Sequence, residues 1–445
     1  MNRYTMTTAA LLCCAVSAQD LLPKAAPQAR PVLFQNATVH TVTGGTVLGG
    51  SLWFADGKIG QVLPAGERPQ LPGNGPEAVD PEVIDLAGKH VYPGMIATHS
   101  TLGLIEIGAV RQSVDTDELG EMTPEALALT AINPDSAALP VARSNGVLLA
   151  AVFPVGGAMP GRASLIQLDG WTNEDLAVLG DAGPVIAWPS DRAGGFRFRR
   201  RGGDDGDDAN RAEQLRQRID DAFVAAREWL DARTADPSVP MDIRHQALVP
   251  ALRGEVPVFV LANAVEQIES AVLWGTMRKV RVVIVGGHEA RACAQLLVDH
   301  KVPVIVDGVH RLPAREDAAY DEPFTLPRDL AASGVEFCIA TGGEFSNERN
   351  LPYHAATAAA FGLDREAALA AVTIAPARIL GVQDRVGALA AGMDATLFVT
   401  DGDPFELTTH VEMAFVQGRR VDLRNKQTEL AAKYRERYRQ LREGR

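Results

Sequence analysis

The sequence contains few cysteines, few aromatic residues and no long hydrophobic run. Only 4 cysteines and 6% aromatic residues occur among its 445 positions, which excludes a small domain built on a disulfide framework. No stretch reaches the roughly 20 apolar residues that a membrane-spanning helix needs. The remaining composition, 46% hydrophobic and 22% charged residues, is typical of a globular protein with one large core or two smaller ones.

Basic residues are fewer than acidic residues. The chain has 43 Lys and Arg against 56 Asp and Glu, which gives a formal net charge of -13. Such an excess of negative charge argues against a polyanion such as nucleic acid as a partner. The composition therefore favours a small-molecule ligand, with no nucleic acid and no membrane span.

The first eighteen residues differ from the rest of the chain. Arg3 gives a weakly positive start, residues 6–16 are apolar or small, and residues 16–18 offer a cleavage point before Gln19. This pattern predicts a signal peptide over residues 1–18 and export to the periplasm after its cleavage. The alternative is a cytoplasmic N-terminal extension.

Two short β-rich segments lie at opposite ends of the chain. Residues 31–90 and 386–422 each contain strand-like runs separated by Gly, Asp and Asn turns, and we expect them to pair into one small β-sandwich domain. Residues 91–385 alternate apolar runs of strand length with amphipathic helical stretches. This alternation predicts an α/β fold with a (β/α)8 barrel of the TIM type, whose functional residues lie at the carboxyl ends of the strands.

Two further segments carry separate predictions. Residues 196–211 set a basic run against an acidic one with almost no apolar content, which is typical of a mobile surface loop. Residues 427–445 have the pattern of a basic C-terminal helix with an apolar stripe. We expect this stripe to pack on the protein's own surface rather than on a membrane or a partner.

Three motifs link the chain to a known family. They are PGMIATHSTLGL at residues 93–104, APA at residues 375–377 with Gly381, and GMDA at residues 392–395. In this order and spacing, with β-rich segments at both ends, the chain resembles the amidohydrolase superfamily from about residue 32 to residue 421. Within that superfamily it is most similar to imidazolonepropionase-like members.

The resemblance implies a divalent metal, zinc or iron, that lowers the pKa of a bound water so that hydroxide attacks a C–N bond. In the family the ligands are a His-x-His pair on strand one, sometimes a carbamylated lysine on strand four, histidines on strands five and six, and an aspartate on strand eight. Here His99 is present, but Thr101 replaces the second histidine, Leu261 stands at the strand-five position and a glycine replaces the aspartate. Lysine is absent from residues 90–278. The residues present therefore exclude the standard binuclear mechanism.

A mononuclear site at the barrel mouth stays open, built from polar residues at the predicted strand ends. The candidates are His99, His288 and His310 as metal ligands, Asp307 and Glu344 as catalytic residues, and Asn263, Asn347 and Arg349 as substrate-binding residues. Each also has a purely structural interpretation, as a barrel-filling histidine, a turn residue or a helix cap, because polar residues are common in such loops.

Two functions follow from the resemblance. The first is a hydrolase acting on non-peptide C–N bonds of a cyclic amide or imidazolone-like small molecule. The second is a catalytically inactive exported binding or scaffold protein that has kept the barrel and its pocket without the catalyst. Metal content, turnover and the response of thermal stability to Zn²⁺ or a chelator separate the two. Assembly into a homo-oligomer stays open.

Overall fold

The structure is a computed structural model that describes residues 22–67, 69, 80–190 and 205–444. The predicted signal peptide, residues 1–18, lies outside the described residues, and so do residues 196–204 of the predicted loop. Among the helices that are described, none is long and apolar enough to cross a membrane.

The elements are numbered here in chain order. The strands are β1 (Val32–His40), β2 (Thr46–Ala55), β3 (Lys58–Leu63), β4 (Glu82–Asp85), β5 (His90–Pro93), β6 (Met95–Ser100), β7 (Val147–Val152), β8 (Gly161–Gln167), β9 (Ala177–Ala187), β10 (Val258–Ala262), β11 (Val282–Gly286), β12 (Val304–Asp307), β13 (Phe337–Ala340), β14 (Leu397–Thr400), β15 (Val411–Val416) and β16 (Arg419–Arg420). The helices are α1 (Ala128–Ala131), α2 (Ala138–Arg143), α3 (Asn173–Leu176), α4 (Asp205–Ala235), α5 (Ile243–Leu252), α6 (Val265–Arg278), α7 (Ala294–Asp299), α8 (Glu322–Ala332), α9 (Leu351–Ala360), α10 (Arg365–Ala370), α11 (Ile374–Ile379) and α12 (Lys426–Glu443). Short 3-10 helices lie at Arg111–Ser113, Ala290–Cys293 and Phe345–Asn350.

The first sheet combines strands from both ends of the chain. Its order is β16-β15-β14-β5-β1-β2-β3, and β4 pairs with β1. β5 runs antiparallel to β14, which joins the N-terminal and C-terminal segments directly. Phe34, Phe54 and Phe415 form part of its core, where their rings meet edge to face at centroid distances of 5.1 to 5.7 Å. A second packed layer, and with it the β-sandwich, stays a prediction.

The second sheet forms a nearly closed barrel of eight strands in the order β6 to β13. β6 and β7 are parallel, and so are β9 to β13. β8 runs antiparallel to both of its neighbours, so the regular alternation of a (β/α)8 barrel fails at this strand. The physical reason is the connection, because only residues 153–160 separate β7 from β8 and a parallel crossover needs about a dozen residues or more.

Two backbone hydrogen bonds bridge the edges of the barrel sheet. The backbone nitrogen of Ile96 on β6 donates to the carbonyl of Val372, and that of Ile339 on β13 donates to the carbonyl of Ala371, at 2.9 and 3.0 Å. The segment at residues 371–372 therefore lies between the first and last strands. Because all the barrel strands except β8 point the same way, their carboxyl ends and the loops that follow meet at one mouth.

Helix α4 begins within the predicted surface loop. Residues 205–211 belong to α4, so the prediction of a loop over residues 196–211 is wrong for this part. Further along the helix, Ile219 and Phe223 are buried, and the Phe223 ring packs edge to face on Trp274 at 5.0 Å. Once this packed part has formed, each further residue adds a hydrogen bond at little cost, so the helix extends into the charged stretch.

Helix α12 does not bury its apolar stripe. The side chain of Asn425 caps the helix by accepting hydrogen bonds from the backbone nitrogens of Gln427 and Thr428. No residue of α12 is buried. The stripe residues are 38 to 53% exposed: Leu430, Tyr434, Tyr438 and Leu441. The expectation that this stripe packs on the protein's own surface is therefore wrong, because all four side chains stay exposed to solvent.

Candidate functional site at the barrel mouth

The carboxyl ends of β6, β12 and β13 bring three titratable side chains together. His99 lies near the end of β6, Asp307 is the last residue of β12, and Glu348 lies in the 3-10 helix that follows β13. The charges of Asp307 and Glu348 both act on the His99 ring. We call these three residues the mouth cluster. It occupies the end of the barrel where the strand order predicts functional residues.

The backbone turns at His99. Its φ angle is 51°, and the pairing of β6 with β7 is irregular between Ala97 and Ser100. A residue other than glycine adopts this left-handed conformation only where its surroundings hold it there, and such positions are common at functional sites. The His99 ring also packs edge to face on Phe153, with the ring centroids 5.4 Å apart. The imidazole is therefore held in a defined place.

His99 and Asp307 form an ion pair at the mouth. The Nδ1 atom of His99 lies 3.1 Å from Oδ1 of Asp307, and the two side chains are 13% and 18% exposed. Burial lowers the pKa of His99, but the carboxylates of Asp307 and Glu348 outweigh burial, so this pKa stands above its usual value. Burial raises the pKa of Asp307, but His99 outweighs it and brings that pKa below its usual value. Both shifts favour the charged forms of the pair, an imidazolium and a carboxylate.

Glu348 is fully buried behind this ion pair. The hydroxyl of Thr341 donates a hydrogen bond to Oε2 of Glu348 at 2.7 Å. Burial raises the pKa of Glu348 to about 7, although the hydroxyls of Thr341 and Ser100 and the charge of His99 act to lower it. A carboxyl group that titrates near neutral pH has the property that acid–base catalysis requires.

Thr101 has a structural role at the position of the missing second histidine. Its hydroxyl donates a hydrogen bond to the backbone carbonyl of Gly343 at 3.0 Å, which ties the loop after β6 to the loop after β13. Gly343 has a φ angle of 76°, a conformation that favours glycine. A Cβ atom at Gly343 would lie 3.5 Å from Cε1 of His99. The glycine turn therefore closes over the imidazole.

His288 and Arg311 lie beside the mouth cluster on neighbouring loops. Burial, and then the positive charge of Arg311, lower the pKa of His288 to about 4. Burial also lowers the pKa of Arg311, against the opposing effect of the Glu322 and Asp307 carboxylates. His288 is therefore a neutral imidazole near neutral pH, next to a guanidinium that keeps its charge.

His310 lies away from the mouth cluster. Its Nε2 atom is 2.7 Å from the hydroxyl oxygen of Thr357, and its ring lies against the ring of His354, with the centroids 4.1 Å apart. His310 lines a surface cavity of about 810 Å³ beside α9. The structure does not bring His310 together with His99, because its loop turns the ring towards that helix.

Glu344 and Asn263 belong to the mouth loops but are not part of the cluster. Glu344 is exposed where the 3-10 helix Phe345–Asn350 begins. Asn263 is also exposed, and its side chain covers Gly286, where a Cβ atom would lie 2.2 Å from Oδ1 of Asn263. The turn after β13 presents Glu344 to solvent and turns Glu348 inward, so the prediction of Glu344 as a catalytic residue is not supported by its position.

Asn347 and Arg349 face a different part of the surface. Both are exposed, and they line a cavity of about 380 Å³ together with Glu106 and Lys426. The side-chain amide of Asn145 donates a hydrogen bond to the carbonyl of Arg349 at 2.6 Å. The structure therefore places these two predicted substrate-binding residues beside α2 and the start of α12, away from the mouth cluster.

The predicted metal ligands do not assemble into a site. Within the described part of the chain, no three His, Cys, Asp or Glu side chains converge so as to hold a metal ion. His99 is paired with Asp307, and His310 faces α9. This donor set does not fit the zinc or iron that the resemblance implies, since such ions need several ligands at short distance.

Sequence reasoning missed Glu348 and Arg311. Each lies in a loop that has a glycine just after the strand, Gly308 after β12 and Gly342 after β13. Residue type alone does not separate Glu348 from Glu344. Only the turn of the 3-10 helix Phe345–Asn350 buries one carboxylate and exposes the other.

Known proteins are similar to this chain over most of its length. Residues 261–422 match the family model described as the amidohydrolase family. The amidohydrolase tasK of Hapsidospora irregularis is 25% identical over 439 residues, which cover 87% of this chain and 43% of tasK. The chain therefore spans less than half the length of this curated relative.

Solved structures share the architecture. An amidohydrolase from Thermotoga maritima MSB8 matches with a TM-score of 0.74 and 25% identity, over 88% of this chain and 100% of that chain. An adenosine deaminase from Xanthomonas campestris with bound zinc matches with a TM-score of 0.51 and 16% identity, over 93% of this chain and 100% of that chain. Phenylurea hydrolase B matches with a TM-score of 0.54 and 16% identity, over 88% of this chain and 97% of that chain. The last two likenesses show the fold alone.

Proposed function

We propose that this chain, whose family match and structural neighbours support the amidohydrolase superfamily, hydrolyses a non-peptide C–N bond of a small molecule at the barrel mouth. The substrate class is a cyclic amide or an imidazolone-like compound, as the imidazolonepropionase-like sequence resemblance implies. His99 and Asp307 are the acid–base groups, and Glu348 supports them from behind.

The observation that carries this proposal is the meeting of three groups with shifted pKa values at the barrel mouth. The pKa of His99 is raised while that of Asp307 is lowered, and the pKa of Glu348 is raised to about 7. Environments that push neighbouring pKa values apart are typical of acid–base sites. His99 and Asp307 also remain partly exposed, so a substrate in the mouth can reach them.

Hydrolysis by this pair uses one proton donor and one proton acceptor. The His99 imidazolium donates its proton to the leaving nitrogen as the C–N bond breaks. Before the bond breaks, the Asp307 carboxylate accepts a proton from the water that attacks the carbon atom of the C–N bond. After the nitrogen has left, this proton passes from Asp307 to the neutral His99, which restores the imidazolium and the carboxylate. Glu348 is fully buried and touches no substrate. It is a positioning residue: as pH rises through about 7 it ionises, and its negative charge then favours the imidazolium.

A second candidate function is a binding or scaffold protein without catalysis. It is favoured by the residues at two of the family's ligand positions, Thr101 and Leu261. The Thr101 hydroxyl is already bonded to Gly343, and leucine has no donor atom for a metal. In that case a small molecule would bind at the mouth without turnover, and the ion pair of His99 and Asp307 would be structural.

Turnover by two single variants separates these functions. The purified protein is assayed by mass spectrometry on a panel of hydantoins, lactams and imidazolones. His99→Asn removes the proton donor and Asp307→Asn removes the acceptor, so each is expected to lower kcat/KM by a factor of about 10² to 10⁴.

The matched control is His410→Asn. His410 also pairs with an aspartate, Asp401, at 3.1 Å, but it is 78% exposed and far along the chain from the mouth cluster. Its rate should equal that of the wild type. Rates that also stay unchanged in the His99 and Asp307 variants would overturn the assignment of the acid–base pair. If the wild type turns over no compound of the panel, the hydrolase function is overturned in favour of the binding protein.

We further propose that the chain is exported to the periplasm. Residues 1–18 carry the pattern of a signal peptide, and cleavage would leave Gln19 as the first residue. Intact-mass measurement on protein from the periplasmic fraction should give the mass of residues 19–445. Protein that keeps residues 1–18 and stays with the cytoplasmic fraction would overturn this part.

A further inference from the structure

Helix α12 exposes an apolar stripe along one face. The four stripe residues are 38 to 53% exposed: Leu430, Tyr434, Tyr438 and Leu441. At about 100° per residue in an α-helix, these positions fall within about 80° of one another. No residue of α12 is buried. No described part of the chain therefore covers this face, and an exposed row of large apolar side chains indicates a contact surface.

The charges of α12 are sorted around the stripe. Six of its 18 residues are basic, against 43 of 445 in the whole chain. Five of the six border the stripe, with Lys426, Lys433 and Arg437 along one edge and Arg435 and Arg442 along the other. The three acidic residues follow at intervals of seven and lie on the opposite face: Glu429, Glu436 and Glu443. Positive charge alone therefore frames the stripe.

The five framing basic side chains are available to bind anions. None of them has a hydrogen-bond or ion-pair partner among the described residues. The guanidinium of Arg437 lies 5.7 Å from the centroid of the Tyr438 ring, a stacking contact that leaves its N–H groups open. The sixth basic residue, Arg439, pairs with Glu436 at 2.7 Å and with Glu443. The helix thus has a paired acidic side and an unpaired cationic side.

This pattern matches the surface of an anionic membrane. A helix in the interface of a bilayer directs apolar side chains towards the lipid tails, Lys and Arg towards the phosphates, and acidic side chains towards water. Tyr434 and Tyr438 suit this depth, because a tyrosine has an apolar ring and a polar hydroxyl. A second copy of α12 fits less well, since the like charges that border both stripes would face one another.

We propose that α12 docks the protein on a membrane surface that contains anionic phospholipid, with the apolar stripe in the interface and the framing Lys and Arg on the lipid phosphates. The helix is net positive, whereas the whole chain has a formal net charge of -13. The rest of the molecule is therefore repelled by the same surface, so that it binds in one orientation, with α12 towards the lipid. Docking requires no catalysis and is separate from the proposed hydrolysis.

Vesicle flotation of the full chain tests this assignment. Wild type is mixed at low ionic strength with phosphatidylcholine vesicles that contain either about one third phosphatidylglycerol or none. We expect the protein to float with the anionic vesicles and to bind the neutral ones about ten-fold or more weakly, because attraction to the anionic lipid is lost. Added salt should release the bound protein, since it screens this attraction.

Two variants separate the contributions of charge and stripe. Arg437→Gln removes one charge at the edge of the stripe and should weaken binding to the anionic vesicles about five-fold. The double variant Leu430→Gln with Leu441→Gln removes two apolar side chains and should weaken it about ten-fold or more. Glutamine has nearly the helix propensity of leucine, so the helix is kept.

The matched control is Arg439→Gln. It removes the same charge two residues from Arg437, but on the acidic side, where the guanidinium is already paired with Glu436. Its affinity for the anionic vesicles should stay within about two-fold of that of the wild type, because this side faces away from the lipid. Since α12 buries no residue, all variants should unfold at the temperature of the wild type, and a loss of binding would then not reflect misfolding.

Four results would overturn membrane docking. They are wild type that does not float with the anionic vesicles, equal losses in Arg437→Gln and Arg439→Gln, and unchanged binding of the double leucine variant. The fourth is a dimer without lipid, seen by sedimentation velocity, that the double leucine variant converts to monomers. That result would assign the stripe to a second copy of this chain.

Discussion

His99 combines an unfavourable backbone conformation with an ion pair. Its φ of 51° is unfavourable for a side chain that is not glycine. The ion pair with Asp307 and the contact with the Phe153 ring offset this cost. Strain that is held by specific neighbours is typical of functional positions. The residue is therefore placed by its contacts and not by the local preference of the chain.

Glu348 should make stability depend on pH. Its pKa rises from 4.5 to about 7 on folding. Between these values the unfolded chain loses the proton while the folded chain keeps it, so stability that is fully present below pH 4.5 is lost as pH rises through 7. For a buried group this loss amounts to about 3 kcal/mol. Urea unfolding of wild type and Glu348→Gln across this window measures it.

The glutamine variant lacks the titrating group and should not show this loss. Its free energy of unfolding should therefore rise relative to the wild type as pH increases. Glu344→Gln is the matched control, because Glu344 is exposed four residues away, and its curve should follow the wild type. Parallel curves for the wild type and Glu348→Gln would contradict the assigned pKa shift of Glu348.

At the scale of elements, β9 holds together the irregular part of the barrel. It pairs antiparallel with β8 on one side and parallel with β10 on the other. Gly183 on β9 has a φ angle of 128°, and a Cβ atom there would lie 2.1 Å from the backbone carbonyl oxygen of Pro257. Only glycine therefore lets β9 approach the backbone that leads into β10.

Gly183→Ala should destabilise the barrel strongly. The added methyl group meets a backbone atom that cannot move aside, so we expect a loss of about 2 kcal/mol or more beyond that of Gly254→Ala. Gly254 also has a positive φ, of 75°, but a Cβ atom there meets nothing within 4 Å. The control thus also replaces a glycine of positive φ, but without the clash. Equal losses of stability in the two variants, measured by chemical unfolding, would contradict this role of Gly183.

For the whole molecule, the sequence predicted the barrel better than its site. Strands such as Val282–Gly286 are buried throughout, so they appear as continuous apolar runs between helices. The direction of β8 depends on the length of residues 153–160, which strand patterns do not encode. His99 and Asp307 were predicted because they stand at strand ends. Glu348 and Arg311 were missed because loop turns decide which side chain faces inward.

The central claim is that His99 at the barrel mouth is paired with Asp307 and does not hold a cation. The most direct test is calorimetric titration of Zn²⁺ into chelator-treated wild type and into His99→Asn at neutral pH. We predict the same heats for both proteins, with no tight site that depends on His99. A stoichiometric site with a Kd below about 1 μM in the wild type, lost in His99→Asn, would contradict the claim.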